Sequence, residues 1–319
     1  MKLAAIDIGT NSTRLLIADA LLNFKDRLQL VPIEREMQIT RLGKNLQRKK
    51  IISDKAAEDT LKVLRDYYDL IKKNDVVRYR AVGTKALRQA SNAEWFKSYV
   101  RKSIGLELEI IDWKEEARLS FIGAIMEEKV QSYCRLEDKD IMVIDIGGGS
   151  TEFVIGNKSA DILYTESADI GSVILTEKFF KHDIPIKIEL DGLKTFIREK
   201  IKNIVRDISN NSKGSDFLYL IGVAGTITTL ASIELELENY DRERIHGHIL
   251  KLDSVIRIYH RLISLNLSER KKVKGLEPKR ADIIIAGTAV LIEIMSSFGI
   301  EELFVSESDI LDGIVYSIF

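Results

Sequence analysis

Cysteine is nearly missing from this chain of 319 residues: Cys134 stands alone, so no intramolecular disulfide can form. No CxxC or Cys/His spacing offers a zinc site either. With three prolines and 19 glycines there is no low-complexity linker, and the composition, 45% hydrophobic and 30% charged, is that of an ordinary soluble globular protein. No apolar run approaches the roughly 20 residues that span a bilayer. The N-terminus enters a strand directly, with one lysine and Asp7, which is a poor secretory signal. The net charge of −1 excludes the global basic field typical of nucleic-acid binders. These absences predict a cytoplasmic protein with no membrane and no nucleic-acid partner.

What is present is one phrase written twice. MKLAAIDIGTNSTRLLIAD opens the chain and DIMVIDIGGGSTEFVIGN lies near its middle. Aligning Asp7 with Asp145 puts Ile6 over Ile144, Gly9 over Gly147, Ser12 over Ser150 and Thr13 over Thr151. Each copy is an apolar run, then Asp-Ile-Gly with small and hydroxyl residues, then a second apolar run. That is a β-hairpin whose turn suits a phosphate. Glycine admits close backbone approach, and successive N–H groups and hydroxyls donate to anion oxygens. The candidate phosphate-binding residues are Gly9, Thr10, Asn11 and Ser12 in the first copy, and Gly147, Gly148, Gly149, Ser150 and Thr151 in the second. Asp7 and Asp145, each ending a strand, can hold a hydrated divalent cation or position a water. Two such turns imply two related domains clamping one phosphorylated ligand, and about two domains also fit the length.

The pattern along the chain supports the duplication. Residues 1–40 read as three strands, the third around RLQLVPIEREMQI. Residues 54–73 read as a helix, with Ser53 as N-cap and a stripe of Ala57, Leu61, Leu64, Tyr68 and Ile71. A strand over 76–84 leads to a helix interrupted near Ser91-Asn92 and ended by Gly105. A strand over 106–112 then precedes a helix over WKEEARLSFIGAIMEEKV. The order βββαβαβα resembles one lobe of an actin-like, two-lobed phosphotransferase. The second lobe starts at residue 140 with three strands. It continues with a long helix over about 187–210, FLYLIGVAGT (217–226), an amphipathic helix within 277–296, a short strand over 303–306 and a final helix. The expected fold class is α/β, with two actin-like (ribonuclease H-like) lobes of mixed sheets flanked by helices and an interdomain cleft. The expected boundaries are 1–117 plus 306–319 for lobe I and 118–305 for lobe II, with a hinge helix near 117–139.

Gly225 and Thr226 follow a strand and open a helix, which places free N–H groups and a positive helix end together. GxxGT alone is a weak signal, and gains weight as a third glycine turn. Glu115 and Glu116 begin the helix of the EEAR segment. Either can be a helix-dipole partner, Glu116 can polarise a water, and spacing does not separate the two. Glu152 occupies the place of Arg14 in the first copy, and reads as a metal or water ligand or as a surface residue on an edge strand. Arg88 can pair bidentately with a phosphate or sit in an ordinary ion pair. The basic run Arg270, Lys271, Lys272, Lys274, Lys279 and Arg280 reads as a solvated face or as a rim guiding a polyanion, and Arg48-Lys49-Lys50 is a smaller run. His246 and His248 flank Gly247 with no third ligand nearby, which suits a polar turn better than zinc.

Together AAIDIGTNSTRLLIAD, ITRLG, AVGTKALRQA, KEEARLSFIGA, VIDIGGGSTEFVIG, IGSVILTEKF, GVAGTITTLA, GLEPKRADIIIAGTAVL and SESDILDGI resemble the exopolyphosphatase and guanosine pentaphosphate phosphohydrolase family. That family belongs to the acetate kinase, sugar kinase, Hsp70 and actin superfamily, and the resemblance covers essentially the whole chain. It implies hydrolysis of a terminal phosphate of inorganic polyphosphate or of guanosine pentaphosphate. It implies Glu116 as activator of the water, Asp145 and Glu152 at the metal and water site, Arg88 in contact with substrate, and Mg2+ as the cation, often helped by K+. Two departures stand out. Lys85 replaces a small or polar residue, and the helical C-terminal region of long members is not in this sequence, which bears on processivity. A ligand sensor that does not turn over and an ATP-dependent kinase are the competing classes. The presence of both glutamates speaks against the first, and the lack of a distinctive acceptor-site Asp against the second. A homodimer is the working expectation for assembly.

Overall fold

The computed structural model describes residues 1–22, 28–134, 140–211 and 218–319. Arg27 and Phe217, at the heads of two expected strands, and positions 135–139 of the expected hinge lie outside the described residues. The chain divides into two units, Met1–Gly123 with Asp309–Phe319, and Ala124–Ser308. The chain passes between units at Gly123/Ala124 and Ser308/Asp309, a few residues beyond 117/118 and 305/306.

In the first unit, β1 (Lys2–Ile8) lies at the centre of a five-stranded sheet and is buried from Leu3 to Ile8. A strand covered on both faces reads as a continuous apolar run. β2 (Thr13–Leu22) pairs antiparallel with β1, and β3 (Leu28–Gln38) antiparallel with β2. On the other side β4 (Arg78–Gly83) runs parallel to β1, and β5 (Glu109–Ile110) parallel to β4. The order is β3-β2-β1-β4-β5. The expected strand over 106–112 is reduced to β5 because only Val82 and Gly83 of β4 offer it partners. Leu106 and Leu108 are buried all the same.

Ser53 caps the helix Asp54–Lys73 by accepting the Ala56 N–H. In its apolar stripe Tyr67, not Tyr68, goes inside. The Tyr67 hydroxyl finds the Thr13 carbonyl at 3.1 Å, which satisfies its polar tip in the core. Gly105 ends the helix Ala93–Ile104 in a left-handed conformation, φ 75°. The segment WKEEARLSFIGAIMEEKV forms two helices rather than one, Trp113–Ile125 and Glu128–Tyr133. Glu127 makes the break by capping the second helix through the Val130 N–H, and Gln131 donates to the orphaned Ile125 carbonyl at 2.7 Å.

The second unit repeats the plan. β6 (Asp140–Ile146) is central, β7 (Thr151–Gly156) pairs antiparallel with it and β8 (Ile162–Ala168) with β7. β9 (Leu218–Val223) runs parallel to β6, and β11 (Glu302–Val305) parallel to β9. β10 (Ile249–Lys251) is an extra antiparallel edge on β11, giving the order β10-β11-β9-β6-β7-β8. Read from β8, strands β8-β7-β6-β9-β11 reproduce β3-β2-β1-β4-β5. The helix expected within 277–296 runs over Ile284–Phe298, behind a 3-10 turn at Pro278–Arg280. It is buried on almost every side rather than amphipathic, because the helices Ser172–Phe179, Lys187–Asn211, Ala224–Glu234 and Leu252–Ile263 all pack against it. No helix among the described residues is long and apolar enough to cross a membrane.

The final helix, Ile310–Ser317, completes the first unit by packing on β1 and β2, with Ile310, Leu311, Ile314 and Val315 against Leu3, Ala5, Leu16 and Ala18. It crosses the helix Trp113–Ile125 at backbone contact. A β-carbon on Gly123 would fall 1.8 Å from the Asp309 carbonyl oxygen, and one on Gly313 would fall 1.9 Å from that of Leu119. Neither obstacle is a flexible side chain. Gly123→Ala is therefore expected to destabilise the protein by about 3 kcal/mol through overpacking. Urea unfolding checks this, and an unchanged midpoint would mean the two helices separate at little cost.

Candidate active site

The first turn is tied down from several sides. Gly9 N–H donates to the Ser12 carbonyl at 2.9 Å and closes the hairpin between β1 and β2. Gly43 N–H donates to Thr10 O, Arg41 N–H to Asn11 O and Thr84 N–H to Ile8 O, at 2.9, 2.8 and 3.2 Å. The carbonyls of residues 8, 10, 11 and 12 are thus taken up by the protein, and the negative ends of those peptide dipoles point into it. The Asn11 side chain is 6% exposed, yet neither Oδ1 nor Nδ2 meets a hydrogen-bonding partner. Asp7 is 5% exposed; its Oδ2 accepts from Arg14 Nε at 3.0 Å and Nη2 at 2.7 Å, while Oδ1 has no partner. Burial pushes the Asp7 carboxyl up, against the pull of the Arg14 guanidinium.

The second turn repeats the closing bond and the tie at its second carbonyl, and differs in the others. Gly147 N–H donates to Ser150 O at 3.0 Å, and Ser172 N–H and Val173 N–H donate to the carbonyls of Gly147 and Gly148, both at 2.9 Å. Thr226 Oγ1 donates to Ile146 O at 3.2 Å, as Thr84 Oγ1 does to Ile8 O at 3.4 Å. The cross-strand pair differs. Asp7 stands opposite Arg14, but Asp145 stands opposite Glu152. Glu152 is 2% exposed and accepts from Ser167 Oγ at 3.0 Å. It lies on an interior strand between β6 and β8, so the reading of Glu152 as a surface residue on an edge fails.

At the third turn, Gly225 and Thr226 lie in the first turn of the helix Ala224–Glu234. The Arg280 guanidinium lies directly over Gly225, where a β-carbon would fall 2.1 Å from Nη1. In the sequence Arg280 belongs to a general basic run. The structure separates that run: Lys271 and Lys272 are exposed, while Arg270 is 4% exposed and bonded to Asp183 O and Oδ1, both at 3.2 Å. The spacing from Gly225 to Arg280 carries no local signal, so only folding shows the contact.

The two glutamates of EEAR meet different partners. Glu115 accepts from Arg118 at 2.7 and 3.0 Å and from Arg80 at 3.2 Å, and the Arg118 hydrogen bond leads in holding its carboxyl below the ordinary value. Glu116 receives Arg88 Nη1 at 2.5 Å on Oε2, and the same nitrogen reaches Ile111 O at 3.2 Å. Two residues singled out separately in the sequence therefore form one pair. His246 and His248 are pins. His246 Nδ1 accepts the Glu307 N–H at 3.1 Å with Nε2 2.9 Å from Glu127, and His248 Nε2 lies 2.6 Å from Glu234. Among the described residues no group of three or more His, Cys, Asp or Glu is placed to hold a metal.

Two sheets of one actin-like topology, each with an Asp-Gly turn after its central strand, define the class of protein. The Ppx/GppA phosphatase family model matches residues 22–319, and the chain belongs to that family. It is 35% identical over 323 residues to the bifunctional 3-dehydroquinate synthase/phosphatase of Fusobacterium nucleatum, covering 98% of this chain and 46% of that relative. The chain thus spans about half the length of that protein. It is 34% identical over 326 residues to exopolyphosphatase 2 of Mycobacterium tuberculosis, covering 99% and 98% of the two chains. The crystal structure of an exopolyphosphatase from Cytophaga hutchinsonii superposes with a TM-score of 0.86 at 28% identity, covering 100% of this chain and 97% of that one.

The Asn11 amide makes a stability prediction. A buried amide with both polar atoms unpaired costs stability until a ligand engages it, so Asn11→Ala is expected to raise ligand-free stability by about 1 kcal/mol. Urea unfolding in phosphate-free buffer measures this. A loss of stability would show that the amide is already satisfied by water.

Proposed function

We propose that this protein is an exopolyphosphatase, releasing the terminal phosphate of inorganic polyphosphate by attack of water. The observation that carries the reading is the first turn, where the Asn11 amide and Asp7 Oδ1 are buried without protein partners. Buried polar groups are normally satisfied, and exceptions in a turn of this kind point to a missing ligand. Family membership and the likeness to proteins named exopolyphosphatase support the same substrate class.

Glu116 is the general base in this reading. Its Oε2 receives Arg88 Nη1, which fixes the direction of the carboxylate toward the water it would activate. The water oxygen bonds to the terminal phosphorus as Glu116 receives that proton. The bond from phosphorus to the bridging oxygen breaks, and the shortened polyphosphate leaves as an anion. Arg88 and the backbone N–H groups of the first turn counter the charge on the phosphoryl oxygens. Arg280, over Gly225, adds a guanidinium to the third turn.

Asp145 and Glu152 fit Mg2+. They stand directly opposite on neighbouring strands, and such a hard divalent cation needs only one or two protein carboxylates. When bound, the cation neutralises charge on phosphate oxygens.

Glu116→Gln is expected to slow phosphate release from long-chain polyphosphate by about 10²–10⁴-fold with KM changed little. Chelation of divalent cations is expected to abolish release, and Glu152→Gln to raise the Mg2+ concentration needed for half-maximal rate. The assay is run with polyphosphate and with guanosine pentaphosphate. Release from the nucleotide alone would move the assignment to a guanosine pentaphosphate 5'-phosphohydrolase, and binding without release from either would make the protein a sensor.

A further inference from the structure

A guanidinium beside a phosphate-binding turn is ordinarily a phosphate ligand, because its planar donors match phosphate oxygens. Arg14, seven residues after Asp7 and 16% exposed at its side chain, is engaged otherwise. Nε and Nη2 donate to Asp7 Oδ2, and Nη1 donates to Asp309 Oδ2. All three guanidinium nitrogens therefore face carboxylates of the first unit.

Asp309 cannot readily swing away. Its Oδ1 accepts the Leu311 N–H at 3.0 Å, and its own N–H donates to Asp312 Oδ2 at 3.0 Å, a reciprocal cap on the final helix. Arg35 Nη2 braces both acids, 2.9 Å from Asp312 Oδ2 and 3.4 Å from Asp309 Oδ1. Asp7, Asp309 and Asp312 with Arg14 and Arg35 make a buried network of net charge −1. Burial works against the Asp309 charge, but Arg14 and Arg35 outweigh it and hold the carboxyl below its ordinary value.

We propose that Asp309 is a positioning residue that sets polyanion affinity, holding the Arg14 guanidinium on a second carboxylate and so keeping its charge off the phosphate groups of a ligand at the first turn. This rests on the reading of that turn as a phosphate site. The position is reached through the fold and not through the motif: 295 residues separate Arg14 from Asp309. The effect is to limit affinity. A chain-shortening hydrolase must release a product nearly as charged as its substrate, and a fully exposed guanidinium would retain it.

The test measures binding of tripolyphosphate by calorimetry, at low and moderate salt, for the whole chain. Asp309→Asn keeps an oxygen for the Leu311 N–H and removes the charge. It is expected to bind tripolyphosphate about fivefold more tightly at low salt, the scale of one partly screened charge pair. The gain is expected to vanish in Asp309→Asn combined with Arg14→Gln. Asp312→Asn weakens the same helix cap and the Arg35 brace without touching Arg14, and is expected to leave affinity unchanged. A purely structural role would lower the thermal midpoint in both single variants and tighten binding in neither. Asp309→Ser, which retains a capping oxygen, replaces Asp309→Asn if the latter fails to fold. Equal or weaker binding by a folded Asp309 variant overturns the inference, as does a gain that survives loss of Arg14. Absence of tripolyphosphate binding by the wild-type chain overturns the phosphate reading of the turn itself.

Discussion

The hydrogen bond from Gly9 N–H to Ser12 O, with its twin from Gly147 N–H to Ser150 O, governs the arrangement of both units. It closes a hairpin immediately after the central strand of each sheet. Closing it there fixes the Asp of Asp-Ile-Gly near the end of that strand, buried by neighbours on both sides. It also leaves the carbonyl just before the glycine available to a threonine hydroxyl from the next βα connection, Thr84 on Ile8 and Thr226 on Ile146. The parallel neighbour strands β4 and β9 are thereby brought to end at the turn. The phosphate-binding reading of Gly9 to Ser12 and Gly147 to Thr151 follows from this backbone constraint more than from any single side chain.

On this shared scaffold the two copies carry opposite chemistry. The register that faces Asp7 with Arg14 faces Asp145 with Glu152. The first copy balances its buried acid internally, and a second acid, Asp309, takes part of the same guanidinium. The second copy places Asp145 directly opposite a second acid, Glu152, which accepts from the Ser167 hydroxyl. One change of cross-strand partner thus gives the two related turns different charge surroundings.

Local features were legible in the sequence because local chemistry determines them. The repeat, the Ser53 cap, the Gly105 stop and the interruption before Ala93 all depend on residues a few positions apart. Tyr67 displaced Tyr68 from the expected stripe because the Thr13 carbonyl accepts its hydroxyl, and that partner lies on another strand. The helix Ile284–Phe298 was misread as amphipathic because burial on all sides depends on four packing helices that periodicity does not record. Glu115 and Glu116 were inseparable by spacing and are separated by Arg80, Arg118 and Arg88. The contacts of Arg280 and Asp309 carry no local signal for the same reason: their partners, Gly225 and Arg14, are distant in sequence.

The site also explains where this fold accepts a stability cost. Most of its buried polar groups are satisfied, even at helix breaks such as Ile125, where Gln131 supplies the missing donor. Asn11 and Asp7 Oδ1 are exceptions four residues apart, at a turn whose carbonyls at residues 8, 10, 11 and 12 are engaged. Each such atom costs about 1–3 kcal/mol when left unpaired. A chain that spends capping side chains on ordinary helix ends yet leaves these groups bare is not short of donors and acceptors. The simplest physical account is that their partners arrive with the ligand. The same account makes Arg14 informative, because its guanidinium is held by protein carboxylates where the neighbouring amide is not. Affinity at this turn then reflects a balance between polar groups left ready for phosphate and a cation withheld from it.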